Sequence, residues 1–305
     1  MVRYLIYFQY IGTKYCGVVR ASKKTTTETG LVGVQDVIEN ALEKLNPYQP
    51  PKIFVSSRTD SGVHALCNAA HFDLVRPPKK PPVFNLDGLK LGINFHIGNE
   101  PVRIIKAVQV PEEFHSQHLA VSRRYLYRIA TGCYHRSLPV TEMDRCWAVK
   151  YELNVEAMRE ASQIFLGTHD FSAFRSSSKE SVVKSPIKTI DSIEIAPSQG
   201  FLSHHYGSQY SEEIKFLEVV FRSRSFLYRQ IRRMVSALVS VGLGHTSKED
   251  LQEVLDSRNN DHVKARNTAP PSGLYLVEVS YNERDLHLRH SDQLPSKEDN
   301  INEPI

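Results

Sequence analysis

Apolar and polar positions along the chain predict a mixture of strands and helices. Apolar runs of strand length occupy residues 4–10, 53–55, 63–74, 102–110, 122–130 and 214–221. Helices are predicted at residues 32–45, 86–93, 153–166 and 227–241, mainly from the spacing of their apolar positions. Because strands and helices mix without a regular strand–helix–strand alternation, the pattern favours an α+β fold over a doubly wound sheet.

Polar segments separate these elements and close the chain. Residues 22–30, 76–82 and 196–213 are predicted as loops or insertions. Residues 282–305 are acidic and poor in apolar groups, so we expect a disordered tail. We divide the remainder into an N-terminal α/β half, residues 1–106, and a C-terminal α/β half, residues 107–281.

The composition excludes several classes of protein. The 305 residues are 41% apolar and 24% charged, which is typical of soluble globular proteins. No apolar run approaches the roughly 20 residues that span a bilayer, and the sequence begins with neither a signal peptide nor a clear transit segment. We therefore expect an intracellular protein, cytoplasmic or mitochondrial, without membrane association. The four cysteines form no Cys-x-x-Cys pair, so zinc and dithiol sites have no support.

Positive charge is concentrated in one short segment. Five arginines fall within residues 222–233, and no acidic residue occurs between Glu218 and Glu249. The helix predicted at 227–241 would project these cations from its first turns. A merely solvated surface usually mixes both signs, so the run favours a phosphate or carboxylate ligand, although ion pairs with acids elsewhere in the fold would also explain it. The net charge of +4 suits a polyanionic partner but is common among soluble enzymes.

A tight turn between two predicted strands carries an aspartate. The turn is Asp60-Ser61-Gly62, with Arg58 two positions before it and hydroxyl side chains around it. Taken by itself, this pattern is explained by an Asx-type turn in which the aspartate caps backbone amides. A carboxylate held at a strand end beside a cation is also a position where catalytic groups are found.

Six blocks, in order, resemble the motifs of the TruA-type tRNA pseudouridine synthases. They occupy residues 10–17, 56–65, 123–127, 167–174, 226–235 and 269–276. The second block, Ser-Ser-Arg-Thr-Asp-Ser-Gly-Val-His-Ala, contains the aspartate turn. Chance could produce one such match but not all six in order. Val18-Val19 stands where the family usually has Trp-Gln, a departure typical of the eukaryotic branch called tRNA pseudouridine synthase-like 1.

The resemblance implies a fold and a set of roles. The fold would be the pseudouridine synthase fold, two mixed α/β halves with largely antiparallel sheets flanking a basic central cleft. Asp60 would be the catalytic nucleophile and Arg232 its partner, because a neighbouring cation favours an ionised carboxylate. Arg58 would fill the space left by the extruded nucleotide, Tyr125 would stack on the target uracil, and Leu274 would pack near the catalytic centre. Core packing explains Leu274 equally well.

The function implied is isomerisation of uridine to pseudouridine in tRNA, in the anticodon arm. Base flipping would expose the uracil, and no cofactor or metal is expected. The partners would be tRNA or another structured RNA and a second copy of the chain in a homodimer. Predicted RNA contacts are Arg123, Arg124, Arg229 and Arg233.

Two other functions compete with this interpretation. The first is a catalytically inactive RNA-binding protein or chaperone of the same fold, which would not need an aspartate among phosphate-binding groups. The second is a metal-dependent hydrolase using Asp60, which lacks a second carboxylate nearby and has Arg58 as an unsuitable neighbour for a cation.

Overall fold

A single mixed sheet runs through the described part of the chain. A computed structural model describes residues 1–78, 83–177, 185–201, 214–259, 261–262 and 267–288. The strands are β1 (Val2–Tyr10), β2 (Phe54–Val55), β3 (His64–Leu74), β4 (Val102–Gln109), β5 (Ala120–Thr131), β6 (Trp147–Val149), β7 (Gly167–Asp170), β8 (Ile187–Ser198), β9 (Lys215–Ser223) and β10 (Leu274–Tyr281). Their order is β4-β1-β3-β10-β5-β9-β8-β7, with β2 pairing with β3 and β6 with β5. Among the described strands only the pairs β3–β10 and β5–β6 are parallel.

The helices pack against this sheet. They are α1 (Lys23–Thr29), α2 (Val34–Glu43), α3 (Leu86–Ile97), α4 (Val155–Ser162), α5 (Gln230–Gly242), α6 (Lys248–Ser257) and α7 (Glu283–Leu286). Helix α5 is almost completely buried, because its apolar face and its two arginines both lie against protein. The predicted α+β fold with largely antiparallel pairing is confirmed. None of the helices in the described ranges has the length and apolarity needed to cross a membrane.

The last strand joins the two parts of the sheet. β10 lies between β3 and β5, pairing Leu276 with Ala65 on one side and with Tyr125 on the other. This places the aspartate turn, which precedes β3, beside the strand that carries Tyr125. The boundary predicted after residue 106 falls inside β4, and the division into two halves stays a prediction.

Several local predictions differ from the structure. Residues 23–29 form α1 rather than a loop, because Ser22 accepts a hydrogen bond from the Thr25 amide and Gly30 ends the helix in the left-handed region at φ 68°. The predicted tail starts with the short α7. Residues 79–82 of the basic loop, 202–213 of the insertion and 289–305 of the tail lie outside the described residues.

His64, the first residue of β3, is a buried structural histidine. Its Nδ1 accepts a hydrogen bond from the Gly12 amide at 3.0 Å, so Nε2 carries the proton and donates to the carbonyls of Asp144 (2.9 Å) and Ser272 (3.1 Å). Its ring also contacts that of Tyr275, with 4.6 Å between centroids. Burial lowers the pKa of His64 to about 4. Protonation of Nδ1 would break the bond from Gly12.

We expect the protein to lose stability as the pH falls from about 6.5 to about 4. In the unfolded chain His64 takes up a proton near pH 6.5, whereas in the folded protein it does so only near pH 4. The contribution of neutral His64 to folding stability is therefore complete above pH 6.5 and is lost progressively as the pH falls toward 4. The loss from His64 alone is on the order of 3 kcal/mol. Urea unfolding across this range should show a flatter pH dependence for His64→Gln, whereas His135→Gln, at an exposed position, should keep the wild-type dependence. Equal slopes in both variants would contradict the assignment.

Candidate active site

Backbone and side-chain bonds fix the aspartate turn at each end. The Val18 amide donates to the Thr59 carbonyl at 3.2 Å, and Gly17 forms a bridge with Asp60. Gly17 has φ 127°, and a Cβ there would lie 2.8 Å from the Thr59 carbonyl oxygen, so only glycine fits this close approach. The Tyr10 hydroxyl and Thr59 Oγ1 share a 2.7 Å hydrogen bond. The turn is therefore held firmly between β1 and β3.

The Asp60 carboxylate forms an ion pair with Arg232. Arg232 Nη1 lies 2.8 Å from Asp60 Oδ2, and the two side chains are 10% and 21% exposed. The Arg232 Nε donates to the Ala269 carbonyl at 2.7 Å, and the Ala269 amide donates back to the Arg232 carbonyl at 3.1 Å. The guanidinium is thus oriented by a second segment before it meets the carboxylate. The structure brings together the two residues that were predicted as a pair.

Arg229 supplies a second, more exposed cation. The sequence predicted Arg229 inside the first turn of this helix, whereas it lies one residue before α5. Its Nε is 4.0 Å from Asp60 Oδ2, and its guanidinium lies over the Tyr228 ring at 4.9 Å. Its φ of 59° is in the left-handed region, which costs a non-glycine residue roughly 1–2 kcal/mol. Strain of this kind is concentrated at functional sites.

Two side chains that pack together, Tyr125 and Phe226, form an aromatic wall of the same cleft. Tyr125, on β5, is 7% exposed, and its ring meets the edge of Phe226 at 5.3 Å and 86°. Burial raises the pKa of Tyr125 to about 12. The phenol is therefore neutral at physiological pH. Leu274, at the start of β10, completes the apolar lining.

These groups line one cleft with a volume of about 1110 Å³. Its described lining includes seven cationic side chains and a single carboxylate, that of Asp60. The cations are Arg58, Arg123, Arg175, Lys188, Arg224, Arg229 and Arg232. A concave surface with this charge suits a polyanion, while the buried aromatic offers a face for a planar ring.

Three of the four arginines that were predicted to contact RNA have protein groups as hydrogen-bond or ion-pair partners. Arg123 is buried, and its guanidinium donates to protein oxygens. Arg233 is buried on α5 outside the cleft lining and donates to the carbonyls of Ala173 (3.3 Å) and Arg175 (2.8 Å). Arg124 lies on the opposite face of β5, 3.4 Å from Glu278, because side chains alternate along a strand. The four RNA contacts stay predictions, and of these arginines Arg123 and Arg229 line the cleft.

Sequence reasoning also missed part of the lining. Arg175, Lys188, Arg224 and Phe226 enter the cleft from loops and from a strand that was not predicted. Phe226 opens one of the recognised blocks, and Arg175 directly follows another, so position next to a block was the available signal. Among the described residues, no three His, Cys, Asp or Glu side chains are placed to hold a metal ion.

Comparisons with known proteins point to one family. A family model described as tRNA pseudouridine synthase matches residues 161–282. The tRNA pseudouridine synthase-like 1 of Xenopus laevis is 46% identical over 285 residues, covering 93% of each chain, and its human counterpart is 43% identical over 283 residues, covering 92% of this chain and 90% of the other. The tRNA pseudouridine synthase A of Maricaulis maris is 36% identical over 282 residues, covering 92% of this chain and 98% of the other.

Proposed function

This chain belongs to the tRNA pseudouridine synthase family, and from that membership we propose that it converts uridine to pseudouridine in tRNA. The observation that carries the proposal is the Asp60–Arg232 ion pair at 2.8 Å, beside a buried aromatic in a cationic cleft. The family was predicted from the six blocks, and that prediction is confirmed. The anticodon arm as the site of modification and the homodimer stay predictions, as does the intracellular localisation.

The reaction is an isomerisation, so its atoms balance without a co-reactant. The bond between uracil N1 and ribose C1′ breaks, the base turns, and C5 bonds to C1′. The proton leaves C5, and N1 gains one. We propose that the Asp60 carboxylate bonds transiently to the nucleotide and is released in the final step. Arg232 orients this carboxylate in the cleft through the 2.8 Å contact.

The target base must leave its stack to reach Asp60. Tyr125 lines the same cleft as the carboxylate and offers a flat ring on which an extruded uracil can stack. Arg58 lines the same cleft two positions before Asp60, where it can take the space that the nucleotide vacates. Leu274 closes the apolar side. The roles proposed for these residues follow the resemblance and fit their positions.

The surface for RNA extends beyond the cleft. A second depression of about 450 Å³ shares His118 and Arg224 with it and is also lined by Arg284 of α7. Phosphates on either side of the flipped nucleotide would then meet cations in both depressions. In this proposal the first residues of the predicted tail, which line the second depression, belong to the RNA-binding surface.

Tritium release from RNA labelled at uracil C5 tests the proposed function. The wild-type protein should release one tritium for each pseudouridine formed, and a chelator should have no effect. RNA binding without release would favour the inactive binding protein or chaperone. Chelator-sensitive cleavage of the RNA would favour the metal-dependent hydrolase. Mapping the product in tRNA would show whether the anticodon arm is the target.

RNA affinity should fall steeply with salt, because each Lys or Arg that contacts a phosphate releases counterions. Arg229→Ala removes an exposed cleft cation. It should reduce the slope of log K against log salt by about one contact. Arg103→Ala, at an exposed position on β4 outside the cleft lining, is the matched control and should leave the slope unchanged. A binding constant independent of salt would remove the cleft cations from the RNA footprint.

A further inference from the structure

Arg123 joins three segments of the cleft to β5. Its guanidinium donates to Ser57 Oγ at 2.9 Å, to the Ser56 carbonyl at 3.1 Å, to the Gln117 carbonyl at 3.2 Å and to the Arg224 carbonyl. These acceptors come from the segment between β2 and the aspartate turn, from the loop before β5 and from the loop before α5. A planar guanidinium with several fixed donors can hold three segments at once, which an ammonium cannot do with the same geometry.

Ser57 lies between this cluster and the aromatic wall. Its hydroxyl oxygen accepts from Arg123 at 2.9 Å, and both Ser57 and Tyr125 line the cleft. Arg123 and Tyr125 are two residues apart on β5, so they lie on the same face of the strand. Asp60 follows Ser57 by three residues. The bonds from Arg123 to Ser56 and Ser57 therefore link the strand that carries Tyr125 to the segment that leads into the aspartate turn.

All the acceptors around Arg123 are neutral oxygens. Among the described residues, no carboxylate forms an ion pair with Arg123, and the residue is only 8% exposed. Burying a cation against neutral groups costs free energy, so an apolar residue would serve simple packing better. The placement instead matches a group whose geometry matters to the neighbouring site.

We propose that Arg123 is a positioning residue that sets the distance between the catalytic turn and the base-stacking Tyr125. The inference rests on the proposed function, because it concerns the geometry of the same reaction. Arg123 then acts through Ser57 and the turn, and RNA phosphates do not touch it. Its loss should lower kcat much more than it weakens RNA binding.

The test compares Arg123→Lys with Arg128→Lys. Arg128 lies on the same strand, is buried to a similar extent and binds Glu142 at 2.8 Å outside the cleft lining. Both variants lose a buried guanidinium, so both should lose thermal stability. Single-turnover tritium release and RNA binding are measured below the Tm of both. We expect kcat to fall about tenfold or more in Arg123→Lys only, with RNA affinity within about twofold of wild type.

Each other outcome has a defined meaning. An unchanged kcat in folded Arg123→Lys overturns the inference while the proposed function stands. Weaker RNA binding with a salt slope reduced by about one contact overturns it in favour of a phosphate contact. An equal loss of kcat in Arg128→Lys overturns it in favour of general destabilisation. Wild-type protein that releases no tritium overturns the proposed function and this inference together.

Ser57→Ala keeps the inference falsifiable where Arg123→Lys does not fold. It removes the oxygen that accepts from Arg123 and leaves the arginine in place. We expect it to lower kcat about as much, and the double variant to be little worse than either single one, because residues acting through one bond are not additive. Wild-type kcat in Ser57→Ala, or losses that multiply, would overturn the role of this connection.

Discussion

Asp60→Asn is expected to reduce pseudouridine formation by about 1,000-fold or more. The amide has nearly the same shape as the carboxylate and can still accept a hydrogen bond from Arg232, so the turn should keep its conformation. It cannot act as the nucleophile, because its nitrogen and oxygen carry no formal charge. RNA affinity should stay similar or tighten, since a group that repels phosphates is gone. Tritium release and direct RNA binding measure the two effects separately.

Asp87→Asn is the matched control for this substitution. Asp87 is exposed on α3, 3.0 Å from Lys90 and outside the cleft lining, so the variant should retain wild-type turnover. Turnover of Asp60→Asn within about tenfold of wild type would remove Asp60 from the role of nucleophile. A parallel loss of RNA affinity would show that the turn itself had been disturbed.

Arg232→Ala should have the second-largest effect, a loss of about 100-fold in kcat. It removes the cation that lies 2.8 Å from Asp60 and also the bond to the Ala269 carbonyl. Arg229, 4.0 Å from the same oxygen, keeps part of the positive field and limits the loss. Arg232→Lys should be intermediate, about tenfold, because the point charge survives while the planar group that bonds in two directions does not. The measurement is the steady-state rate of tritium release at saturating RNA.

The double variant of Asp60 and Arg232 identifies what the arginine does. If Arg232 serves the carboxylate, Asp60→Asn with Arg232→Ala should be no slower than Asp60→Asn alone, because residues acting as a unit are not additive. Losses that multiply would instead make Arg232 an independent phosphate contact. Thermal unfolding of each variant gives the folded fraction, which corrects the rates for simple destabilisation.

Much of the local structure could be predicted from the residues alone. Strand and helix periods located β1, β4, β5, β9 and α2 to within a few residues, because each of these elements buries one face. The aspartate turn was visible from its short polar string. Its partner 172 residues later was not visible in any local pattern. The resemblance to the family supplied that pairing, and the structure places the two groups in contact.

The arginines show where sequence reasoning stops. Arg123 and Arg124 are adjacent and chemically identical, yet one is buried under the cleft and the other faces away beside Glu278. Which face of β5 meets the cleft depends on β9 and β10, the strands that pair with it. Arg233 was counted with the exposed cluster because the buried side of α5 is set by its contacts with distant segments. The charge of an arginine is evident from the sequence, whereas the direction in which its side chain points depends on contacts between distant segments.

The position of β10 has a consequence for how the chain folds as it is synthesised. Leu74 ends β3 and Leu274 begins β10, so the ribosome adds 199 residues between two strands that must pair. At about 5–20 residues per second this takes roughly 10–40 s. Until then the edge of β3 next to the aspartate turn lacks its final neighbour, and such an edge can pair with another nascent chain. The last strand to emerge therefore completes the cleft, and the interval before it emerges is when a chaperone would matter most.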